Sequence, residues 1–421
     1  MNPDIIKNLR FNYVVNVADG AFFGLALGFA SFVTIIPLFV STLTRSPILI
    51  GLIPAIHTVG WQLPQVFIAN RVSRQSRYKP MLLIISTQER LPFLGLALVA
   101  FISPRIGPQA ALLLTFFLLI WQALGGGFTA TPWQSMIAKI MPPDRRGTFY
   151  GIQSAAANLL ATGSAVAAGY ILTRVDSPLD FSVCFLLASI AMLLSWLALS
   201  GTREPATPLT TLPDSRLAFS RRLATILKRD NNFRWFLAVR MLSQFGMLGF
   251  SFYTVYAVTV LGMSELTVGV MTAVLLGVQI IANPLMGWLG DRYSHRLVML
   301  SGLLAASLSG LLAWYAPHPN WFYLVFFLAG IANVAVWTIG LAMILEFGTE
   351  PERPAYIGLA NTLIAPATIL APLLGGVLAE SGGYPAAFIA SSVGGLFSAF
   401  LLFKLVRDPR VKLHAGTGAV I

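Results

Sequence analysis

Read as a string of apolar and polar positions, the chain is a series of long apolar runs separated by short polar breaks. The runs do not alternate residue by residue, as barrel strands would, so they predict helices. One hydrocarbon crossing needs ~20 apolar residues. Runs of that order lie at 14–40, 48–70, 80–102, 110–137, 148–172 and 181–200. A second set lies at 235–259, 266–290, 297–316, 321–345, 356–379 and 386–406. The first run is too long for a signal-peptide core and lacks a convincing cleavage site, so it reads as a span. Between the sets is a polar stretch, rich in Pro and Thr and then basic. Within it, RLAFSRRLATILKR sets Leu217, Leu223, Ile226 and Leu227 against several Arg and Lys. That suits an amphipathic helix on a membrane surface, with a solvated linker as the other reading. The expected domains are a six-helix bundle over 1–200, a linker over 201–234 and a second six-helix bundle over 235–421.

Composition sharpens this. Of 421 residues, 56% are hydrophobic and 10% charged, and the mean hydropathy is +0.76. A soluble domain carries roughly 25% charged residues, so much of this surface must face a lipid bilayer. The net charge of +12 does not indicate nucleic acid, because the cations sit in short segments between spans instead of on one basic face. Lys7, Arg10, Arg71, Arg74, Arg77, Lys79, Lys139, Arg145, Arg146, Arg292, Arg296 and Arg353 fall on one side, with those of the linker and C-terminus. Only Arg45, Arg105 and Arg174 fall on the other. The positive-inside bias then places both termini in the cytoplasm of a multi-pass cell-membrane protein. The single cysteine, Cys184, lies in an apolar run and reads as core packing.

An internal repeat sets the architecture. SMIAKIMPPDRRGTFYGI (135–152) aligns without gaps with AMILEFGTEPERPAYIGL (342–359), matching Met136 with Met343, Arg146 with Arg353, Phe149 with Tyr356 and Gly151 with Gly358. A second echo joins IANRVSRQSR, from Ile68, to WLGDRYSHR, from Trp288. The matches fall on polar connectors, where chance similarity of apolar sequence is a weak explanation. Parallel six-helix repeats imply a pseudo-twofold axis along the membrane normal.

The segment Gly287, Leu289, Gly290, Asp291, Arg292, Arg296 resembles the signature between spans 8 and 9 of the major facilitator superfamily. PPDRRGTFYG and EPERPAYIG resemble that family's loops 4–5 and 10–11. The first-half copy departs from the pattern, with Asn70 before Arg71 where the family usually has Asp. The resemblance covers essentially the whole chain. It implies an all-α membrane protein of 12 transmembrane helices in two pseudo-twofold-related six-helix bundles, working by alternating access. It also implies that Asp291 meets the start of span 5, near Arg145, Arg146 and Gly147. With the acidic loop of Glu346, Glu350 and Glu352 and the basic loop 2–3, this suggests a cytoplasmic latch or gate that also involves Arg353. Exposed pairs of this kind contribute only ~0–1 kcal/mol, and the alternative is that each charge merely obeys topology or stays solvated.

Ionisable groups inside a span cost at least ~2.5–3.5 kcal/mol at the helix centre, so each is a candidate for function. Asn12, Asn16 and Asp19 share a face of span 1; Arg240, Gln244, Met247 and Ser251 share one of span 7. The resemblance places both spans on the central cavity, and an Asp19–Arg240 pair across it is one reading, snorkelling at the interface the other. Glu89 and Arg90 fall near the middle of span 3; neighbours point about 100° apart, so they do not automatically pair. Glu89 is a proton carrier or a structural partner of another helix. His57 with Trp61, Gln279 with Asn283, and Asn333 with Trp337 are further cavity-lining candidates, with interhelical hydrogen bonding as the alternative. Gly125, Gly126 and Gly127 form no phosphate loop, since no GK[ST] follows. In span 11, Pro366 and Ala371–Gly376 partly resemble the glycine–proline motif of the family's drug antiporters, which normally lies in span 5, where this chain has SAVAAG.

The residues show no catalytic triad, metal cluster or nucleotide fingerprint, so no enzyme activity and no cofactor is expected. The leading expectation is a monomeric secondary transporter of a small organic solute, exporting amphipathic compounds by proton exchange. Uptake of a neutral solute such as a sugar, and a non-transporting sensor or lipid scramblase, are the alternatives.

Overall fold

The apolar runs all fold as helices in the computed structural model, which describes residues 3–207, 216–263, 265–316 and 318–410. The first span is α1 (Pro3–Phe29) and α2 (Ile35–Leu43); the second is α3 (Pro47–Gln62) and α4 (Gln65–Val72). α5 (Lys79–Ile106), α6 (Pro108–Ile140), α7 (Arg146–Arg174) and α8 (Leu179–Ser200) complete the first set. The linker carries α9 (Arg216–Arg229), the segment read as amphipathic. The second set begins with α10 (Asn231–Gly246) and α11 (Phe250–Thr259), then α12 (Glu265–Arg292) and α13 (His295–Tyr315). α14 (Trp321–Val334) and α15 (Gly340–Ile344) follow, joined by a π-helical turn at Ala335–Ile339, and then α16 (Arg353–Thr362) and α17 (Ala365–Leu405).

Eight helical stretches among the described residues are long and apolar enough to cross a membrane. The longest, Arg353–Leu405, holds two spans, because Gly383 adopts φ 74°, a conformation that no α-helix passes through and that glycine accepts without strain. Spans one, two and seven are each built from two shorter helices, which brings the total to the expected twelve among the described residues. Local chemistry sets several starts. Pro47 and Pro108 occupy first-turn positions, where a missing N–H costs nothing. Asp230 caps α10 by accepting from Phe233 N at 3.0 Å.

The chain packs as two units. Unit 1 comprises Met1–Met141, Ala156–Thr211 and Glu350–Thr362; unit 2 comprises Pro142–Ala155, Leu212–Thr349 and Leu363–Ile421. The first turns of α7 thus belong to unit 2, and α16 belongs to unit 1. In unit 1 the apolar core gathers Phe39, Phe93, Phe181 and Phe185. In unit 2 it gathers Tyr253, Phe322, Phe326 and Phe388, with Tyr256 stacked on Phe322 at 5.7 Å. Ile84, Leu113 and Phe117 are open on the outside of unit 1, as lipid-facing side chains are.

Candidate functional site

Unit 1 buries an ionic cluster where α1, α5 and α8 meet. Arg90 Nη2 lies 3.2 Å from Asp19 Oδ1 and donates to Ser195 Oγ at 3.0 Å. The Ser195 hydroxyl donates in turn to Asp19 Oδ1 at 2.6 Å. Glu89 Oε2 stands 3.6 Å from Arg90 Nη1, which also donates to the Ser86 carbonyl at 3.3 Å. One guanidinium therefore serves two carboxylates, all of them buried. The sequence reading offered Arg240 as the partner of Asp19; the structure gives that role to Arg90, in the same unit. The angle between neighbouring residues did not keep Glu89 and Arg90 apart, because the long arginine arm folds back along its own helix.

The three glycines of α6 explain how this cluster fits. A Cβ on Gly125 would stand 2.7 Å from backbone atoms of Gln88 and Glu89, and one on Gly126 would meet Glu89 Oε1 at 2.9 Å. Close helix packing is their role. On the neighbouring α3, His57 Nδ1 lies 3.3 Å from Gln122 Oε1, and its ring stacks on Phe32 at 3.9 Å. Trp61 is half-buried and borders Gly126. Asn16 Nδ2 bonds the Asn12 carbonyl and Thr202 Oγ1.

Unit 2 holds the remaining candidates. Arg240 is 1% exposed, and its Nε lies 3.8 Å from where a Cβ on Gly340 would stand. Gln244 is buried against Ser243. Asn283 donates to the Gln279 carbonyl at 2.7 Å and accepts from Thr338 Oγ1 at 2.6 Å. Asn333 and Trp337 are half-buried, and Trp337 stands in the π-helical turn, a distortion that recurs at functional sites.

At the basic end of unit 2, Asp291 meets the start of α7. Its Oδ1 accepts from Gly147 N at 2.8 Å and its Oδ2 from Thr148 N at 2.6 Å, so a carboxylate caps a helix N-terminus. A side chain at Gly287 would run into the Gly147 carbonyl, and one at Gly290 into the His295 ring. Arg146 donates to the Leu345 carbonyl at 3.2 Å. Arg296 donates to the Leu402 and Phe403 carbonyls at the end of α17. Two groups the sequence reading passed over complete the cluster. His295 Nδ1 lies 2.6 Å from Glu346 Oε1, with Nε2 3.5 Å from Asp291 Oδ1. Arg410 bonds Glu346, His295 and the carbonyls of Gly290 and Asp291. Arg71, Arg145 and Arg292 are exposed. In unit 1, Asn70 accepts from Arg74 at 3.4 Å, and Arg353, half-buried, faces Glu350 and Tyr78. Burial, then the nearby Glu350, pushes the Tyr78 phenol up to about 12.

A further repeat also went unread. Thr202-Arg203-Glu204-Pro205 follows span 6, and Val406-Arg407-Asp408-Pro409 follows span 12. Asn12 clasps the first by donating to Arg203 O at 2.8 Å and accepting from Arg203 N at 2.8 Å. Asn232 clasps the second in the same way, at 2.9 Å to Arg407 O and 2.6 Å from Arg407 N. The acids that follow are anchored too. Glu204 accepts from Tyr78 N, Lys79 N and Lys139 Nζ, and Asp408 from Ser294 Oγ. The shared Arg-acid-Pro spacing was the available signal.

A family model described as Major Facilitator Superfamily matches residues 19–277 and 250–419. Over 160 residues the chain is 31% identical to the vesicular acetylcholine transporter of Mus musculus, an alignment covering 36% of this chain and 30% of that protein. Over 134 residues it is 28% identical to Multidrug resistance protein 2 of Bacillus subtilis (strain 168), covering 32% and 34%. The matched region thus spans about a third of the length of these curated relatives. Among solved structures, the fold is similar to that of FucP, a transporter crystallised in the outward conformation. The TM-score is 0.75 at 15% identity, covering 94% of this chain and 99% of that one.

Proposed function

Because the chain belongs to the major facilitator superfamily, we propose that it is a secondary transporter that exports small amphipathic organic compounds in exchange for protons. The observation that carries the coupling is the shared guanidinium. Asp19 and Glu89 both pair with Arg90, at 3.2 and 3.6 Å. With all three ionised, the cluster holds one excess negative charge, which a proton can neutralise and later release. A solute cation can do the same in its place, so the two compete for one charge site. The names of the relatives, an acetylcholine transporter and a multidrug resistance protein, support small organic compounds as the solute class. The protein sits in the cell membrane with both termini cytoplasmic and works as a monomer by alternating access. The Asp291 cap on α7 is the latch that closes the cytoplasmic end.

Substrate counterflow in proteoliposomes tests transport itself; a ligand thermal-shift screen on purified protein selects the solute. A pH gradient applied to wild type, Asp19→Asn and Glu89→Gln tests the coupling. Gradient-driven flux should be lost in at least one variant while counterflow persists. Equal gradient dependence in all three removes both carboxylates as proton carriers.

A further inference from the structure

Two exposed arginines stand at matching places in the two sequence repeats. Arg71 lies in the last turn of α4, and Arg292 is the last residue of α12. The register that aligns Asn70 with Asp291 also aligns Arg71 with Arg292 and Phe67 with Trp288. Each arginine follows its aromatic by four residues and so shares a helix face with it. Both aromatics are open, Phe67 at 75% and Trp288 at 46% exposure. Leu63 extends the first stripe and Leu285 the second, and both are also exposed. Such apolar stripes in a membrane-spanning helix face acyl chains, and each ends at its arginine.

Neither guanidinium has a carboxylate in ion-pair range among the described residues. Nearby cations are engaged: Arg296 on carbonyls of α17 and Arg410 on Glu346. Arg292 lies 5.6 Å from the Trp288 ring centre and 6.0 Å from that of Tyr293. A helix C-terminus favours a cation, which accounts for the charge alone. It does not account for an open aromatic one turn earlier in both repeats.

We propose that Phe67–Arg71 and Trp288–Arg292 are two repeat-related binding sites for anionic phospholipid. The planar guanidinium fork matches the oxygens of a phosphodiester. The aromatic ring sits at the depth of the glycerol and upper acyl chain, where such rings concentrate. Zwitterionic lipids carry a cationic group beside the same phosphate, which cancels the net charge and weakens the attraction to the arginine. The leaflet bordering the basic end supplies the ligand.

Native mass spectrometry of the full chain, with phosphatidylglycerol or phosphatidylcholine added at equal concentration, tests this. Wild type should retain phosphatidylglycerol at collision energies that strip phosphatidylcholine. Arg71→Gln and Arg292→Gln should each retain one molecule fewer, and the double variant two fewer. Arg105→Gln should match wild type, and glycerol 3-phosphate should not displace the lipid. Equal retention of both lipids by wild type overturns the proposal, and that comparison stands even if a variant does not fold. Undiminished retention in a folded double variant also overturns it.

Discussion

The carboxylate of Asp291 holds the backbone amide of Gly147 at 2.8 Å, a bond that the repeat-related residues Asn70 and Pro354 cannot form. Alignment of 135–152 with 342–359 puts Pro354 where Gly147 stands. Proline has no N–H to donate, so an acid at position 70 would lose the first amide that its counterpart caps. The departure of Asn70 from the family pattern therefore has a chemical companion on the other strand of the repeat.

Asp291→Asn should slow counterflow in proteoliposomes about tenfold, since charge-assisted hydrogen bonds contribute ~1.5–3 kcal/mol and tenfold is ~1.4. Asn70→Asp should change the rate by less than about fivefold, since an exposed pair contributes at most about 1 kcal/mol. Equal effects of the two substitutions would remove the asymmetry from the mechanism.

Arg90→Met should destabilise unit 1 by roughly 3–5 kcal/mol, because it leaves two buried carboxylates without a counter-ion. Asp19→Asn should cost less, since Glu89 remains 3.6 Å from the guanidinium. Thermal unfolding in detergent ranks the two; the opposite order would mean that Glu89 is no partner of Arg90.

Gly125→Ala should lower the unfolding midpoint, because its methyl group would press on backbone that cannot turn aside, a penalty of about 1–3 kcal/mol. At Gly163 nothing lies within 4 Å of an added Cβ. Alanine there should raise stability slightly, by about 0.5–1 kcal/mol, through reduced backbone freedom in the unfolded chain. The same thermal measurement decides both.

Asn12→Ala and Asn232→Ala each remove two hydrogen bonds to a chain exit, worth roughly 1–3 kcal/mol together. Limited proteolysis should then cut faster after Ser200 in the first variant and after Leu405 in the second. Unchanged cleavage would show that Glu204 and Asp408 hold those exits unaided.

Helix number, the duplication and the Asp291 contact were all legible in the sequence. The first two rest on repeating signals, apolar run length and matched connectors; the third is what the resemblance of Gly287–Arg296 to the family signature implies. The partner of Asp19 was not legible. Which cation reaches it depends on how α1, α5 and α8 are set side by side and on the curl of one flexible arm, and neither leaves a mark at fixed spacing. His295 was missed because the acid it meets most closely, Glu346, lies 51 positions away, and Arg410 because it follows the last span. The Arg-acid-Pro repeat was in plain view, but three residues are too few to stand out until both copies are seen held by an asparagine.

Those two clasps bear on how the chain could be taken apart. Each six-helix set has its exit sewn back to its own first helix, Arg203 to Asn12 and Arg407 to Asn232. A backbone severed between Thr207 and Arg216 would leave both knots tied. Two separately made fragments, co-expressed, should therefore reassemble into a working protein.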